Sequence, residues 1–372
     1  MDAIRAPAGG KSRPAHETIL HNRLRLYDRA VFLPFASEAD SVVIVQSFPV
    51  AVGLCLVTML CWGSWANTQK LTGSTWPFQC FYWDYSLGVL LLALLAAFTL
   101  GSLGSAGRPF LADVAQANGA AIGSALIGGA IFNLSNILLV AAIGIAGMAV
   151  AFPVGVGLAL VIGVISSYVT KPVGSPWIIG VGVVAISVAI LLDALAYRRL
   201  ATTSNSTPRL GMVLAVVAGL LMGFFYRFVV ASMATDFADP EPGRLGPYAA
   251  LVCFSAGLFL SSFLWNSLAM VRPFQGPPVP LARYFAGSPG LHLIGILGGV
   301  IWAIGMGLSI LASDRAGPAV SYGLGQGATM VAALWGVFVW REFRAAAAGT
   351  GRLLALMFLL YGVGLALLVA AR

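Results

Sequence analysis

The sequence predicts an all-α membrane protein whose ten transmembrane helices form two inverted five-helix repeats. Composition is the first observation behind this: 59% of the 372 residues are hydrophobic and 9% charged, whereas soluble domains carry roughly 25% charged residues. Second, apolar segments of about 20 residues, the length that crosses a hydrocarbon core, recur with short polar breaks from Phe48 to the C-terminus. The third is a near-copy within the chain, AGMAVAFPVGVG at 146–157 returning as AGPAVSYGLGQG at 316–327. A bilayer offers no partners to open backbone groups and the alternating pattern of a membrane barrel is missing, so the apolar segments are helices.

Residues 1–46 differ in kind from the rest. Arg5, Lys11, Arg13, Arg23, Arg25 and Arg29 are scattered among Pro, Ala and acidic residues, without the basic start, apolar run and cleavage site of a signal peptide. A disordered or weakly helical tail is expected, with VVIVQSFPV from Val42 as a natural start of the membrane part. Ten spans follow at 48–70, 79–101, 118–142, 147–170, 175–197, 210–232, 247–270, 290–312, 318–340 and 351–371. The first five make one repeat over 47–200 and the last five a second over 201–372, leaving no room for a soluble domain.

The net charge of +8 comes from the tail and the interhelical connections. It reads as topology information and lipid-headgroup contact, not as a nucleic-acid footprint. Lys70, Arg198, Arg199, Arg209, Arg272, Arg283, Arg341, Arg344 and Arg352 share one side, against Arg108, Lys171, Arg244, Arg315 and Arg372 on the other. The positive-inside rule therefore puts the connection between spans 5 and 6 in the cytoplasm and both termini outside, although the basic tail argues the opposite. Cys55, Cys61, Cys80 and Cys253 fall within apolar spans without metal-ligand spacing and read as small buried hydrophobes.

Sliding the chain by 170 positions lays GGAIFNLSNILLVAAIGIAGMAVAFPVGVG over GGVIWAIGMGLSILASDRAGPAVSYGLGQG without a gap, so spans 3 and 4 match spans 8 and 9. Span 1 matches span 6 more loosely, at a shift of 160, through Gly63/Gly223 and Trp65/Phe225. Five is odd, so the second copy enters the bilayer from the opposite side. That is the arrangement of transporters, in which two similar halves exchange outward-open and inward-open packings around a midplane site. Gly119/Gly123, Gly295/Gly299 and Gly323/Gly327, each pair four apart, are candidates for close helix approach.

The second-half run GGVIWAIGMGLSILASDRAGPAVSYGLGQGATMVAALWGVFVWREF and GLCLVTMLCWGSWANTQKL of span 1 resemble the glucose/ribose porter family of the drug/metabolite transporter superfamily, a branch related to ureide permeases and the bacterial rhamnose transporter. The likeness covers about 44–372, with YWDYS at 82–86 closer to the ureide permeases. The resemblance implies the drug/metabolite transporter fold, a central polar cavity, and transport of a small polar solute, commonly coupled to protons.

Polar and aromatic side chains at membrane depth are the candidate contacts. Asn133 and Asn136, three apart on span 3, offer carboxamide donors and acceptors to a solute or tie helices together. Between the copies Val156 becomes Gln326 and Phe152 becomes Tyr322, which makes one half-site polar. Trp62 and Trp65 share a face of span 1, Trp302 lies mid-span in span 8, and Asn67 is an additional contact. Arg227 either meets the solute or snorkels to a headgroup. Asp84 either carries a coupling proton or pairs with Lys70. Asp193, Asp314 and Glu342 sit at span ends and read as solvated; spans 5 and 10 read as peripheral.

His16, His21 and His292 are too few and too scattered for a catalytic cluster, and the GxG triplets lie inside apolar helices with no preceding strand, so neither an enzyme nor a dinucleotide loop is expected. No cofactor or metal is expected. The resulting expectation is a secondary transporter of a bacterial inner membrane that takes up a monosaccharide by alternating access, with proton symport and a homodimer as open points. A ureide or nucleobase permease or a metabolite exporter is the alternative within transport, and a membrane sensor or scaffold the alternative outside it.

Overall fold

The structure, a computed structural model, describes residues 43–73, 76–103, 106–199 and 209–372. Of the expected tail, residues 1–42 lie outside the described residues, as does the connection at 200–208 where the halves were expected to divide. Residues 43–47 are not loose. Val43 donates its backbone N–H to the Leu100 carbonyl (2.9 Å), and its own carbonyl accepts from the Tyr248 hydroxyl (2.8 Å).

Among the described residues ten helices are long and apolar enough to cross a membrane: α1 (Phe48–Leu71), α2 (Phe78–Phe98), α3 (Gly119–Ala146), α4 (Val150–Thr170), α5 (Pro176–Arg198), α6 (Arg209–Ser232), α7 (Pro247–Val271), α8 (Pro289–Ala316), α9 (Pro318–Val339) and α10 (Thr350–Ala370). Proline occupies the first turn of α1, α5, α7, α8 and α9, where its missing N–H costs nothing and its fixed φ suits a helix. Asn118 caps α3 by accepting from the Ala121 N–H at 2.7 Å.

The two segments matched in the sequence end alike in the backbone. Helices α3 and α8 are both 28 residues long and both stop at a glycine with positive φ, Gly147 (79°) and Gly317 (86°). The chain needs glycine there because a Cβ disfavours that conformation. Both helices therefore run four residues past the ends expected from hydropathy.

Helix contacts correspond as well. Helix α1 lies against α8 and α9, as α6 lies against α3 and α4; α2 packs on α8, as α7 packs on α3. Helices α2 and α7, α4 and α9, and α5 and α10 pair with each other. A Cβ on Gly129 would stand 2.0 Å from the Phe254 carbonyl oxygen of α7, and one on Gly299 2.0 Å from the Tyr85 carbonyl oxygen of α2. Only glycine permits these two backbone contacts. Gly119 and Gly123, expected at such a contact, instead have nothing within 4 Å of an added Cβ.

Two spans are irregular. The α1 span turns at Trp65 between helical segments Phe48–Ser64 and Ala66–Leu71. The α9 span, expected as one helix, runs from Pro318 to Val339 but tightens into a turn at Gln326 and Gly327, between Pro318–Gly325 and Ala328–Leu334. There the Gly327 N–H donates to the Leu324 carbonyl (3.0 Å), and the span ends in a π-helical stretch, Trp335–Val339. Tightened turns and π-turns are backbone irregularities that a membrane tolerates only where protein or a cavity meets them. Ten alternating crossings put the ends of α1, α5 and α9 on one face, marked by Lys70, and the ends of α4, α6 and α8 on the other, marked by Lys171.

Candidate functional site

A cavity of about 480 Å³ lies between α1, α3, α4, α5, α6, α8 and α9. Its walls run from buried Trp302 and Gln326 out to Lys70 and Glu342, whose side chains are 49% and 32% exposed, so it opens on the Lys70 face. The inner wall is aromatic. Trp62 and Trp302 stack with ring centres 5.9 Å apart and planes 12° apart, and Phe132 tilts against Trp302 at 4.4 Å. The Trp62 ring is seated against the backbones of α8 and α9, where a Cβ on either Gly305 or Gly325 would come within 2.7 Å of it.

Polar groups interrupt this wall at a few points. Asn136 is 5% exposed and donates through Nδ2 to the Tyr82 hydroxyl at 3.3 Å. Gln326 is 8% exposed, and its carboxamide has no hydrogen-bond partner among the described residues. It caps the first segment of α9, which places it at the tightened turn and on the cavity wall. Its counterpart Val156 lines the same cavity from α4, so the two copies contribute one polar and one apolar group. Thr329 also lines it but is tied to the Tyr361 hydroxyl.

Of the candidates read from the sequence, Trp62, Trp65, Asn67, Asn136, Trp302 and Gln326 stand on the cavity wall. Asn67 is already paired there, with Nδ2 donating to the Ser64 carbonyl and Oδ1 accepting from Trp340 Nε1 at 2.7 Å. Four candidates lie off the wall. Asn133 faces α7 and donates to the Leu258 carbonyl (3.1 Å) and the Ser261 (2.8 Å) and Ser262 (3.2 Å) hydroxyls, a tie between helices. Tyr322 is fully buried, its hydroxyl within reach of the Ala159 (3.2 Å) and Met222 (3.1 Å) carbonyls, so it ties α9 to α4 and α6. Arg227 is exposed on α6, the placement of a snorkelling side chain. Asp84 pairs with His292 Nδ1 (2.9 Å) and the Tyr284 hydroxyl (2.7 Å), not with Lys70. Tyr284, outside the spans, keeps its proton because burial and the adjacent Asp84 carboxylate raise its pKa. Lys70 instead pairs with Glu342 at 3.0 Å.

The sequence reading missed Phe132, Phe152 and Phe225, which line the cavity, and misplaced Asp193 and Glu342. Asp193 is buried on the cavity wall, and Glu342 accepts from both Lys70 and the Tyr197 hydroxyl (3.2 Å). Helix α5 is therefore not peripheral at this end. Asp314 is half-buried rather than solvated, its side chain 6% exposed between Lys171 (3.8 Å) and Arg315 (3.4 Å).

Between the cavity and the Lys171 face the protein is packed shut. The Tyr226 hydroxyl meets the Ser309 carbonyl at 3.2 Å, Ser321 Oγ donates to the same carbonyl at 2.8 Å, and Cys55 Sγ lies 3.7 Å from Ser321 Oγ. A separate cleft of about 490 Å³, lined by Lys171, Glu241, Arg244 and Asp314 among others, sits on the Lys171 side of this seal.

Ten apolar helices around a one-sided cavity with a few polar groups define a multi-pass membrane transporter of a small polar solute. Comparison narrows the class. A family model described as Ureide permease matches residues 182–371, just over half of the chain, and the chain belongs to that family. It is 21% identical to Ureide permease 1 and 22% identical to Ureide permease 2 of Arabidopsis thaliana, in each case over 88% of this chain and 98% of the relative. Both are plant proteins, so the expected bacterial inner membrane draws no support from them. A crystal structure 16% identical in sequence shares the fold, with a TM-score of 0.55 over 86% of this chain and 96% of that one.

Proposed function

We propose that the chain carries a ureide, or a nucleobase-like solute of the same chemistry, across the membrane by alternating access. Such solutes are flat and present neighbouring N–H and C=O groups along an edge. One observation carries the reading: the nearly buried Gln326 carboxamide, unpartnered among the described residues, stands at a tightened turn of α9 on an aromatic cavity wall. A carboxamide offers an N–H pair and an acceptor side by side, the complement of an amide edge. The stacked indoles and Phe132 offer a flat face beside it.

A monosaccharide, the first expectation, is less well served. Each of its hydroxyls needs a partner once water is stripped away. The inner wall supplies Gln326 and Asn136, with Thr329 already engaged. The relatives' names also favour the ureide alternative over sugar uptake.

For the transport cycle, the two five-helix halves, 47–200 and 201–372, act as repeats related by an axis in the membrane plane. The recurring helix pairs and matched glycine contacts support this reading. An exchange of packing between the halves would open the seal around Tyr226 and Ser309 toward the cleft at Lys171 and close the mouth at Lys70. With the excess of arginine and lysine on the Lys70 face, the positive-inside rule makes this conformation inward-open.

Uptake of labelled allantoin by proteoliposomes, with and without a pH gradient, tests the proposal. Saturable uptake, inhibited by uracil or unlabelled allantoin and indifferent to glucose and ribose, is the expected result. Uptake of labelled glucose with no allantoin transport would replace the ureide by a sugar.

A further inference from the structure

We propose that Asp193 is the carboxyl that takes up and releases a coupling proton during transport. The inference rests on the transport reading and adds a residue to it. Asp193 is 4% exposed, lines the cavity, and its Oδ1 is walled off without a hydrogen-bond partner among the described residues. A charged carboxylate with one oxygen cut off from water and donors is strongly disfavoured. The neutral acid, with its carbonyl oxygen at the walled-off Oδ1 and its hydroxyl at Oδ2, carries no charge into that environment.

The groups around Asp193 do not offset a negative charge. On α5, Tyr197 is one turn further along and its hydroxyl is committed to Glu342 (3.2 Å). Glu342, which follows α9, is itself an acid and holds Lys70, the nearby cation of the cavity mouth, at 3.0 Å. From α10, Tyr361 is engaged with Thr329. Helix α4 has no titratable side chain over residues 150–167, and in the helical part of α9 over 318–334 the one such group, Tyr322, bonds to α4 and α6. No cation among the described residues is paired with Asp193.

Position converts this into coupling. While the cavity is open on the Lys70 face, Asp193 can exchange its proton with water there. Closing the mouth strips that water away, so the protein reorients readily with the acid form and poorly with the anion. One proton then travels with each solute, bound at one face and released at the other. Asp84, the coupling candidate read from the sequence, differs on each count: it lies off the cavity and has both His292 and Tyr284 as partners.

The test compares wild type, Asp193→Asn, Asp193→Glu and Asp84→Asn in two assays. In proteoliposomes, Asp193→Asn should lose accumulation of labelled allantoin driven by a pH gradient and keep exchange of external for internal allantoin. Asp193→Glu should restore part of the accumulation, and Asp84→Asn should still respond to the gradient. Infrared difference spectra of the full-length protein between neutral and alkaline pH should show a protonated-carboxyl stretch that Asp193→Asn removes. Gradient-driven accumulation retained by Asp193→Asn, or lost only in Asp84→Asn, would overturn the assignment. A wild type that moves no allantoin would defeat the ureide reading instead, and the infrared band would then decide Asp193 alone, its persistence in Asp193→Asn counting against the proposal.

Discussion

At the scale of single residues, two of the carboxamides read from the sequence separate by environment. Gln326 lines the cavity without a partner among the described residues, whereas Asn133 is fully buried and spends its amide on Leu258, Ser261 and Ser262 of α7. Replacing Gln326 by alanine removes one solute hydrogen bond, so the KM for allantoin uptake should rise about tenfold while insertion and folding stay intact. Asn133→Ala should do the reverse, lowering stability by about 0.6 kcal/mol, the usual strength of such a bond between membrane helices, with KM unchanged. Thermal unfolding in detergent and initial uptake rates separate the two outcomes. The sequence placed both residues at membrane depth, but depth does not say which way a side chain points. Asn136 and Asn133 are three apart and still divide between the cavity and α7. Asp193 was misread for a related reason, because hydropathy marks the end of a span but not the α10 and Glu342 surroundings that bury it.

The elements were more legible, since length, apolarity and glycine register are properties of the chain itself. Matching Gly129 and Gly299 at a shift of 170 predicted equivalent positions, and both face a carbonyl oxygen of a packed helix, α7 and α2 respectively, at the same 2.0 Å for an added Cβ. Gly129→Ala and Gly299→Ala should each destabilise the protein by about 1–3 kcal/mol, because a rigid backbone, not a side chain, stands in the way. Gly119→Ala, with open space around it, should leave the melting temperature in detergent unchanged. Spacing alone could not distinguish these glycines, because the small-xxx-small pattern identifies a smooth helix face and not the neighbour that uses it. The tightened turn in α9 was also hidden, since nothing in an apolar run marks where the backbone departs from its regular bonds. The glycines flanking Gln326, at 325 and 327, were its only trace.

For the whole molecule, the structure is open on the Lys70 face and sealed toward Lys171, which the proposed alternating access makes one of two states. A cysteine placed at Ala332, on the cavity wall, in a background lacking the native cysteines should react with a membrane-impermeant maleimide from the cytoplasmic side. A cysteine at Ser321, inside the seal, should not react in that state. Allantoin should slow the reaction at position 332, and a rate indifferent to allantoin would place the solute elsewhere.

The central claim is that the cavity wall around Gln326 binds a flat amide solute, and the intrinsic tryptophans beside it report on it directly. Titrating purified full-length protein with allantoin should give a saturable change in tryptophan fluorescence that glucose does not compete away. The change should weaken about tenfold in Gln326→Ala and persist in Asn133→Ala. Equal binding by wild type and Gln326→Ala, or displacement by glucose, would contradict the account.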